Sequence, residues 1–308
     1  MKTSIYLVVF TLFVAPVYAQ TNSAYKWKAT IKAVDESGAP FSGASATIGY
    51  YINSVSTGTV GVTDTNGIFT VTHTSQSEYA DISFEAKKDG HYSILQEVNL
   101  QPPFDIVKWN PTKTLVLKKI GKPIALYSKK YALGLRLPEF GKQIGYDLMF
   151  GDWVGPYGKG ITRDLVFEQD YTNISSSEYY SKITVSFPKA GDGIQIYAIP
   201  DSEKGSGLRS PHEAPLDGYA SQLTRETSAL HGQSSKFEFD PNRIYLFRVR
   251  TALDQQGNVV SARYGKIYGD FMQFTYYYNP TPNDRNIEFN PKQNLLGGLQ
   301  AFERVTAP

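Results

Sequence analysis

The residues able to do chemistry are few and scattered. The four histidines are His73, His91, His212 and His231, and none stands at the H-x-H or H-E-x-x-H spacing that brings two imidazoles onto one metal. There is no cysteine, which removes thiolate catalysis, thiolate zinc sites and disulfides together. No Ser occupies a G-x-S-x-G elbow. The glycine run Gly155-Pro156-Tyr157-Gly158-Lys159-Gly160 has Gly where a phosphate loop needs Ser or Thr after its Lys, and residues that read as strand follow it. Nucleotide binding is therefore excluded. No metal site or cofactor is expected.

What remains are carboxylates and aromatic rings. Glu139, Asp147, Asp152, Asp164, Glu168 and Asp170 cluster in one stretch, and glycoside hydrolysis needs two such groups facing across a cleft. The spacing selects no pair. The segment Gly151 to Gly160 carries Trp153 and Tyr157, which form a sugar-stacking platform if exposed and core packing if not. Tyr276-Tyr277-Tyr278 puts Tyr276 and Tyr278 on one face of a strand. The polar run Asn283-Asp284-Arg285 follows, and reads either as a binding rim or as a tail pinned by hydrogen bonds. Asp64 and Asn66 echo the front of a calcium loop, but no downstream Glu completes it, so turn formation accounts for them. The candidate ligand-binding set is thus Trp153, Tyr157, Tyr276 and Tyr278, with no catalytic residue assigned.

The elements that must position these residues are strands. With 22 Tyr and 17 Phe in 308 residues, the chain is rich in strand-favouring rings. Trp27, Ala29, Ile31 and Ala33 alternate with Lys26, Lys28, Thr30 and Lys32, the period of a half-buried strand. Further short strands follow at regular spacing to Leu117, and Asn66-Gly67 predicts a type I′ hairpin with positive φ at both central residues. After Gly121-Lys122-Pro123, a tight junction, strands are expected near 132–137, 146–150, 163–169, 180–187, 194–199, 237–239, 244–252, 260–267 and 271–278. Apolar residues on both sides of 244–252 mark that strand as central. A helix is expected between Leu216 and Leu230, and the Pro-containing tail after Tyr278 is expected to wrap the domain without a regular element.

Four landmarks of the front half occur in order. They are Asp35-Glu36-Ser37-Gly38-Ala39-Pro40, Gly43-Ala44-Ser45-Ala46, Thr63-Asp64-Thr65-Asn66-Gly67-Ile68-Phe69, and Asp89-Gly90-His91-Tyr92. Together they resemble the carboxypeptidase regulatory-like domain, from which His91 departs by separating the late Gly from its Tyr. The resemblance implies a transthyretin-like, seven-stranded β-sandwich used as an accessory, without peptidase activity of its own. The Asp152-Trp153 loop and the Asn279 to Asn286 run are similar to segments of exported proteins of environmental bacteria, a likeness that implies no activity.

The expected organisation is a cleavable signal peptide over 1–19, a β-sandwich over 20–120 and a larger β-rich, sandwich-like domain over 121–308. The first segment has Lys2, an apolar run from Ile5 to Val14, and Val17-Tyr18-Ala19 before Gln20. That run is well short of the roughly 20 residues of a spanning helix, so cleavage is favoured over retention as an anchor. The sequence therefore reads as an all-β, exported, periplasmic or secreted protein. A net charge of +2 without a dense basic patch argues against nucleic acid. The expected function is non-catalytic binding or scaffolding, with an extracellular glycan or a cell-envelope protein as partner. An enzyme acting on an extracellular polysaccharide and a purely structural surface protein are the alternatives.

Overall fold

The computed structural model describes residues 25–52, 54–75, 80–100, 110–175, 177–200, 204–237 and 240–308. The expected signal segment and residues 101–109 lie outside them. The described chain is all-β, with one 3-10 turn at Ala301–Glu303.

The first seven strands are β1 (Tyr25–Val34), β2 (Ser45–Ile52), β3 (Val55–Val62), β4 (Ile68–Ser75), β5 (Ala80–Lys87), β6 (Ile94–Leu100) and β7 (Thr112–Val116). They form a three-stranded sheet in the order β4-β1-β7 and a four-stranded sheet in the order β3-β2-β5-β6. The alternation in β1 sends Trp27, Ala29, Ile31 and Ala33 inward onto Ala46, Ile48, Ile82 and Phe84 of the facing sheet. Burying these apolar faces drives the two sheets together, at about 25 cal/mol per Å² removed from water.

The Asn66-Gly67 expectation needs correcting. Only Gly67 has positive φ, at 73°, and the turn joins β3 to β4, which lie in different sheets. Asp64 accepts the amides of Asn66 and Ile68 at 2.9 and 2.8 Å, so the segment is an Asx-stabilised corner that carries the chain between layers. A Cβ on Gly67 would stand 2.2 Å from the Ala33 carbonyl oxygen, which no side chain tolerates. The tight hairpin is instead the two-residue link between Ile52 and Val55, with Ser54 at φ 64°.

Twelve further strands are β8 (Ile124–Lys130), β9 (Ile144–Asp147), β10 (Asp152–Trp153), β11 (Leu165–Asn173), β12 (Tyr179–Ser186), β13 (Gly193–Ala198), β14 (Gln222–Ala229), β15 (Lys236–Phe237), β16 (Arg243–Leu253), β17 (Val259–Gly269), β18 (Phe274–Tyr278) and β19 (Phe289–Asn294). They make two six-stranded sheets, β10-β9-β11-β12-β14-β15 and β13-β16-β17-β18-β8-β19. One core lies between the sheets, around Tyr146, Phe167, Val185, Phe247 and Tyr276. A second lies on the other face of the β16 sheet, around Leu246, Tyr264, Tyr277 and Phe289. That sheet is buried on both faces, which is why β16 is apolar on both sides and sits inside the strand order.

Three more expectations differ from the structure. Residues 132–137 form no strand: Gly134 turns with φ 87°, and Leu135 and Leu137 enter the core from a loop. No helix forms between Leu216 and Leu230. Pro215 and Gly218 shape a turn, and β14 pairs along β12 from Gln222 to Ala229. The tail does add a regular element, because β19 runs parallel to β8 with an irregularity between Phe289 and Asn294 that accommodates Pro291.

Candidate functional site

Three of the four nominated rings meet in one packed cluster. Tyr146 is fully buried and makes edge contacts with Trp153 at 5.4 Å and with Tyr276 at 6.0 Å. Trp153 also packs edge-on against Phe167 at 5.6 Å, so the indole is half-buried as part of the core margin. Tyr157, on the loop beyond β10, is half-buried and donates its hydroxyl to Glu139 at 2.6 Å.

Tyr276 and Tyr278 cannot form a platform. Both are 0% exposed, because the face of β18 they share looks into the space between the six-stranded sheets. The Tyr276 hydroxyl donates to the Leu148 carbonyl at 3.0 Å, and the Arg250 guanidinium lies 5.5 Å from the centre of the Tyr278 ring. The polar run after β18 is partly a pinned tail. Asn279 donates to the carbonyls of Asp284 and Asn286, and Asn283 accepts from the Ala262 amide at 3.0 Å. Asn283 and Arg285 also border an open groove of about 570 Å³ with Leu216, Arg248, Val260 and Tyr264. Both arginines there are tied down, Arg248 to the Gly191 and Leu216 carbonyls and Arg285 to Glu213.

Of the six carboxylates in the acidic stretch, the structure brings Asp147 and Asp164 together on Arg250. Arg250 donates to both oxygens of Asp164, at 2.7 and 2.8 Å, and stands 3.3 Å from Asp147. Its backbone has φ 54° at a register shift in β16, and the Asp192 carboxylate receives the amides of Arg250 and Thr251 at 3.1 and 2.8 Å. Burial pushes the Asp164 carboxyl above its ordinary range, and Arg250 offsets this only in part. Burial alone would weaken the Arg250 charge, but Asp164 more than compensates.

These acids are turned inward. Asp147 accepts the amides of Met149 and Ile161 at 2.9 and 3.0 Å, and also those of Phe150 and Thr162. Asp152 accepts the amides of Trp153 and Lys159, each at 2.9 Å, and Asp164 takes that of Leu148. The carboxylates thus pin the 147–164 loop to itself. A general acid or base needs a lone pair facing substrate, and here those lone pairs face backbone N–H groups.

A second polar cluster, which sequence reasoning missed, joins the front strands to the back ones. Glu288 is buried, at 1% exposure of its side chain. It accepts the Gly121 and Lys122 amides at 2.8 and 2.7 Å and the hydroxyl of Tyr92, and His212 Nδ1 stands 3.1 Å away. Burial pulls its pKa upward, but Tyr92, the two amides and His212 outweigh that and hold it below the usual carboxylate range. Beside it, Lys118 reaches the Ser210 carbonyl at 3.0 Å, and Lys266 lies 2.9 Å from the Ser210 hydroxyl. Lys266 is fully buried, with the Tyr268 and Tyr277 rings 5.1 and 4.7 Å from its ammonium. Burial drives its pKa far below the ordinary lysine value, Glu288 works against that, and Lys118 and Arg209 reinforce it. The Val116 amide donates to the Gly205 carbonyl at 3.2 Å, which completes the junction. His212, which stands at no metal-binding spacing in the sequence, is part of this contact. The sequence signal was slight: a lone Glu between apolar Ile287 and Phe289.

Among the described residues, no group of three or more His, Asp or Glu side chains is arranged to hold a metal ion. No helix among them is long and apolar enough to cross a membrane.

No family model matches the chain, and no curated protein does. Solved structures similar to it include 3-chlorocatechol 1,2-dioxygenase from Rhodococcus opacus 1CP, at 14% identity over 32% of this chain and 62% of that one, with a TM-score of 0.24. A streptococcal ancillary pilin matches at 10% identity over 83% of this chain and 60% of that one, with a TM-score of 0.24. The shaft pilin from Lactobacillus rhamnosus GG matches at 11% identity over 78% of this chain and 92% of that one, with a TM-score of 0.25. The match spans less than two thirds of the dioxygenase and of the ancillary pilin. Likeness at this level carries no argument about the chain's fold or activity.

Proposed function

We propose that the chain is an exported, non-catalytic scaffold protein of the cell envelope or exterior, built from a carboxypeptidase regulatory-like accessory sandwich fixed to a larger β-rich domain. The observation that carries this is the Glu288 junction. Tyr92 from the front strands, the link residues Gly121 and Lys122, and His212 from the back loops all converge on one buried carboxylate. Free hinging would break charge-assisted hydrogen bonds to a buried carboxylate, so the arrangement favours one fixed geometry. Rigid spacing of two β-units is what a scaffold uses. Consistent with it, the acids of the 147–164 loop are spent on backbone amides.

Two measurements on the mature protein test the reading. Incubation with a panel of cell-wall and plant polysaccharides should release no reducing ends, and fractionation of the producing cells should place the protein in the envelope or the medium. Hydrolysis of any polymer, abolished by Asp147→Asn or Asp164→Asn without loss of fold, would overturn it in favour of an enzyme. Binding to a glycan without hydrolysis, weakened by Trp153→Ala or Tyr157→Ala, would redirect it to glycan recognition.

A further inference from the structure

Side chains alternate along β18, so Thr275 and Tyr277 share the face opposite to Phe274, Tyr276 and Tyr278. Cross-strand register fixes their neighbours. Thr275 stands between Lys130 of β8 and Tyr268 of β17, and Tyr277 stands between Ser128 and Lys266. The Tyr268 and Tyr277 rings meet edge-on at 5.5 Å and are buried. Lys130, at the end of its strand, is exposed.

Two segments from elsewhere in the chain wall this corner. One brings Arg209, whose guanidinium lies 4.9 Å from the centre of the Tyr268 ring. The other is the tail from Arg304 to Pro308. That tail is held in place. Val305 is buried, the Tyr277 hydroxyl donates to the Ala307 carbonyl at 3.1 Å, and Glu303 pairs with Lys129 at 3.1 Å. The result is a pocket of about 210 Å³ lined by the two tyrosines and by three cations, Lys130, Arg209 and Arg304.

Among the described residues no Asp or Glu lines this pocket, and none of the three cations is paired with a carboxylate. Arg209 Nη1 donates to the Pro241 carbonyl and Arg304 Nε to that of Leu299, each at a long 3.4 Å. The arginines of the 570 Å³ groove are engaged far more closely, Arg248 at 2.7 Å and Arg285 at 2.6 Å. Pro308 also lines the pocket, and a chain ending there sets one carboxylate against three positive charges. The positive field reaches inward as well. Arg209 and Lys118 both oppose protonation of buried Lys266, while Glu288 favours it.

We propose that this pocket binds a phosphate group. Charge selects an anion. Size selects a small one, because 210 Å³ lies below the roughly 300–1,000 Å³ of pockets for drug-sized ligands. The donors select phosphate over carboxylate. A phosphate carries about 1.5–2 negative charges at pH 7 and three strong acceptor oxygens, which match two guanidinium forks and an ammonium. A carboxylate brings one charge and two oxygens. The phosphate is a free ion or one borne on a larger envelope molecule. This goes beyond the scaffold reading, which requires no ligand.

The test is isothermal titration calorimetry of the full mature protein with inorganic phosphate at low salt, with chloride at matched ionic strength as the blank. Wild type should bind one equivalent with a Kd between about 10 µM and about 1 mM. Arg304→Gln, at an exposed position, and Arg209→Gln should each weaken binding at least about tenfold with an unchanged circular dichroism spectrum. If Arg209→Gln disturbs the fold through Tyr268, Arg304→Gln alone decides. Lys292→Gln removes an equal charge from an exposed position outside the pocket and should bind as wild type does. Glycerol 3-phosphate separates the two sources. Binding at least as tight as that of inorganic phosphate assigns the site to phosphate on a larger molecule, weaker binding assigns it to the free ion, and either supports the proposal. No saturable binding of either ligand up to about 10 mM overturns it. So does acetate bound as tightly as phosphate, an Arg304→Gln protein that binds normally, or a Lys292→Gln protein that loses as much as Arg304→Gln. Absence of phosphate binding leaves the scaffold reading standing, and polymer hydrolysis would sink that reading without touching this one.

Discussion

Replacing Glu288 by Gln is the sharpest perturbation of the junction. The carboxylate receives the Gly121 and Lys122 amides on different oxygens, with Tyr92 on the first and His212 beside the second. An amide side chain keeps one acceptor and turns a donor toward the other backbone N–H. One amide is thus left facing a donor in a buried site, and the remaining bonds lose their charge. Hydrogen bonds to a charged group are worth about 1.5–3 kcal/mol each, and bonds sharing one acceptor group do not add fully. The expected loss is about 3 kcal/mol, or roughly 5 °C in Tm for a chain of this size. The location of the damage is checkable as well. Trp27 is buried in the front core, and Trp153 packs against the back one. With Trp109 and either Trp27 or Trp153 replaced by Phe, fluorescence in each single-tryptophan background follows one half through a urea titration. Wild type should show coincident transitions, and Glu288→Gln should separate them. A loss below about 1 kcal/mol with the transitions still coincident would refute the claim that this carboxylate couples the halves.

Acid should act on the same contact. The Glu288 pKa lies below its ordinary 4.5, so its contribution is full above that value and is lost as pH falls through the folded-state value, which pH-dependent urea midpoints would record. Lys266 has the opposite sign of problem. Its folded-state pKa lies below the ordinary 10.5, the unfolded chain binds the proton more tightly, and stability should rise with pH toward 10.5. Lys266→Met should flatten that slope and stabilise the protein at neutral pH by about 1–2 kcal/mol, measured by calorimetry. Arg250→Ala strands Asp147 and Asp164 together in the interior and should cost about 3–5 kcal/mol, seen as a lowered urea midpoint. Gly61→Ala drives a methyl into the Phe69 ring and should cost about 1–3 kcal/mol, with Phe69→Leu restoring part of the loss.

The strand pattern was legible where one face of a sheet is wet. β1 is read directly from its alternation, and Trp27, Ala29, Ile31 and Ala33 are all buried. It failed where both faces are dry. Tyr276, Tyr277 and Tyr278 are all buried, and no period in three tyrosines reveals a sheet covered on both sides. The Asn66-Gly67 signal marks a reversal of direction, but turn chemistry is blind to whether the next strand joins the same sheet or the facing one. Between Leu216 and Leu230 the apolar spacing fits a helix, yet Thr224 and Thr227 lie along β12, and tertiary pairing decided the outcome. The polar clusters were illegible for a simpler reason. Arg250 lies 86 residues from Asp164 and 103 from Asp147, and Tyr92 lies 196 from Glu288. No local pattern connects residues so far apart.

The parallel pairing of β19 with β8 sets an order of events during synthesis. The side chain of Asn294 bonds the backbone of Ser128 on both sides, across 166 residues of sequence. β8 is made soon after the front strands, yet its neighbours β18 and β19 follow only after β9 to β17 have been made. A nascent chain can therefore close its first seven strands while β8 waits with both edges bare. Over that interval a chaperone has a defined strand to shield, and a chain truncated before Phe274 would leave it bare permanently, open to aggregation.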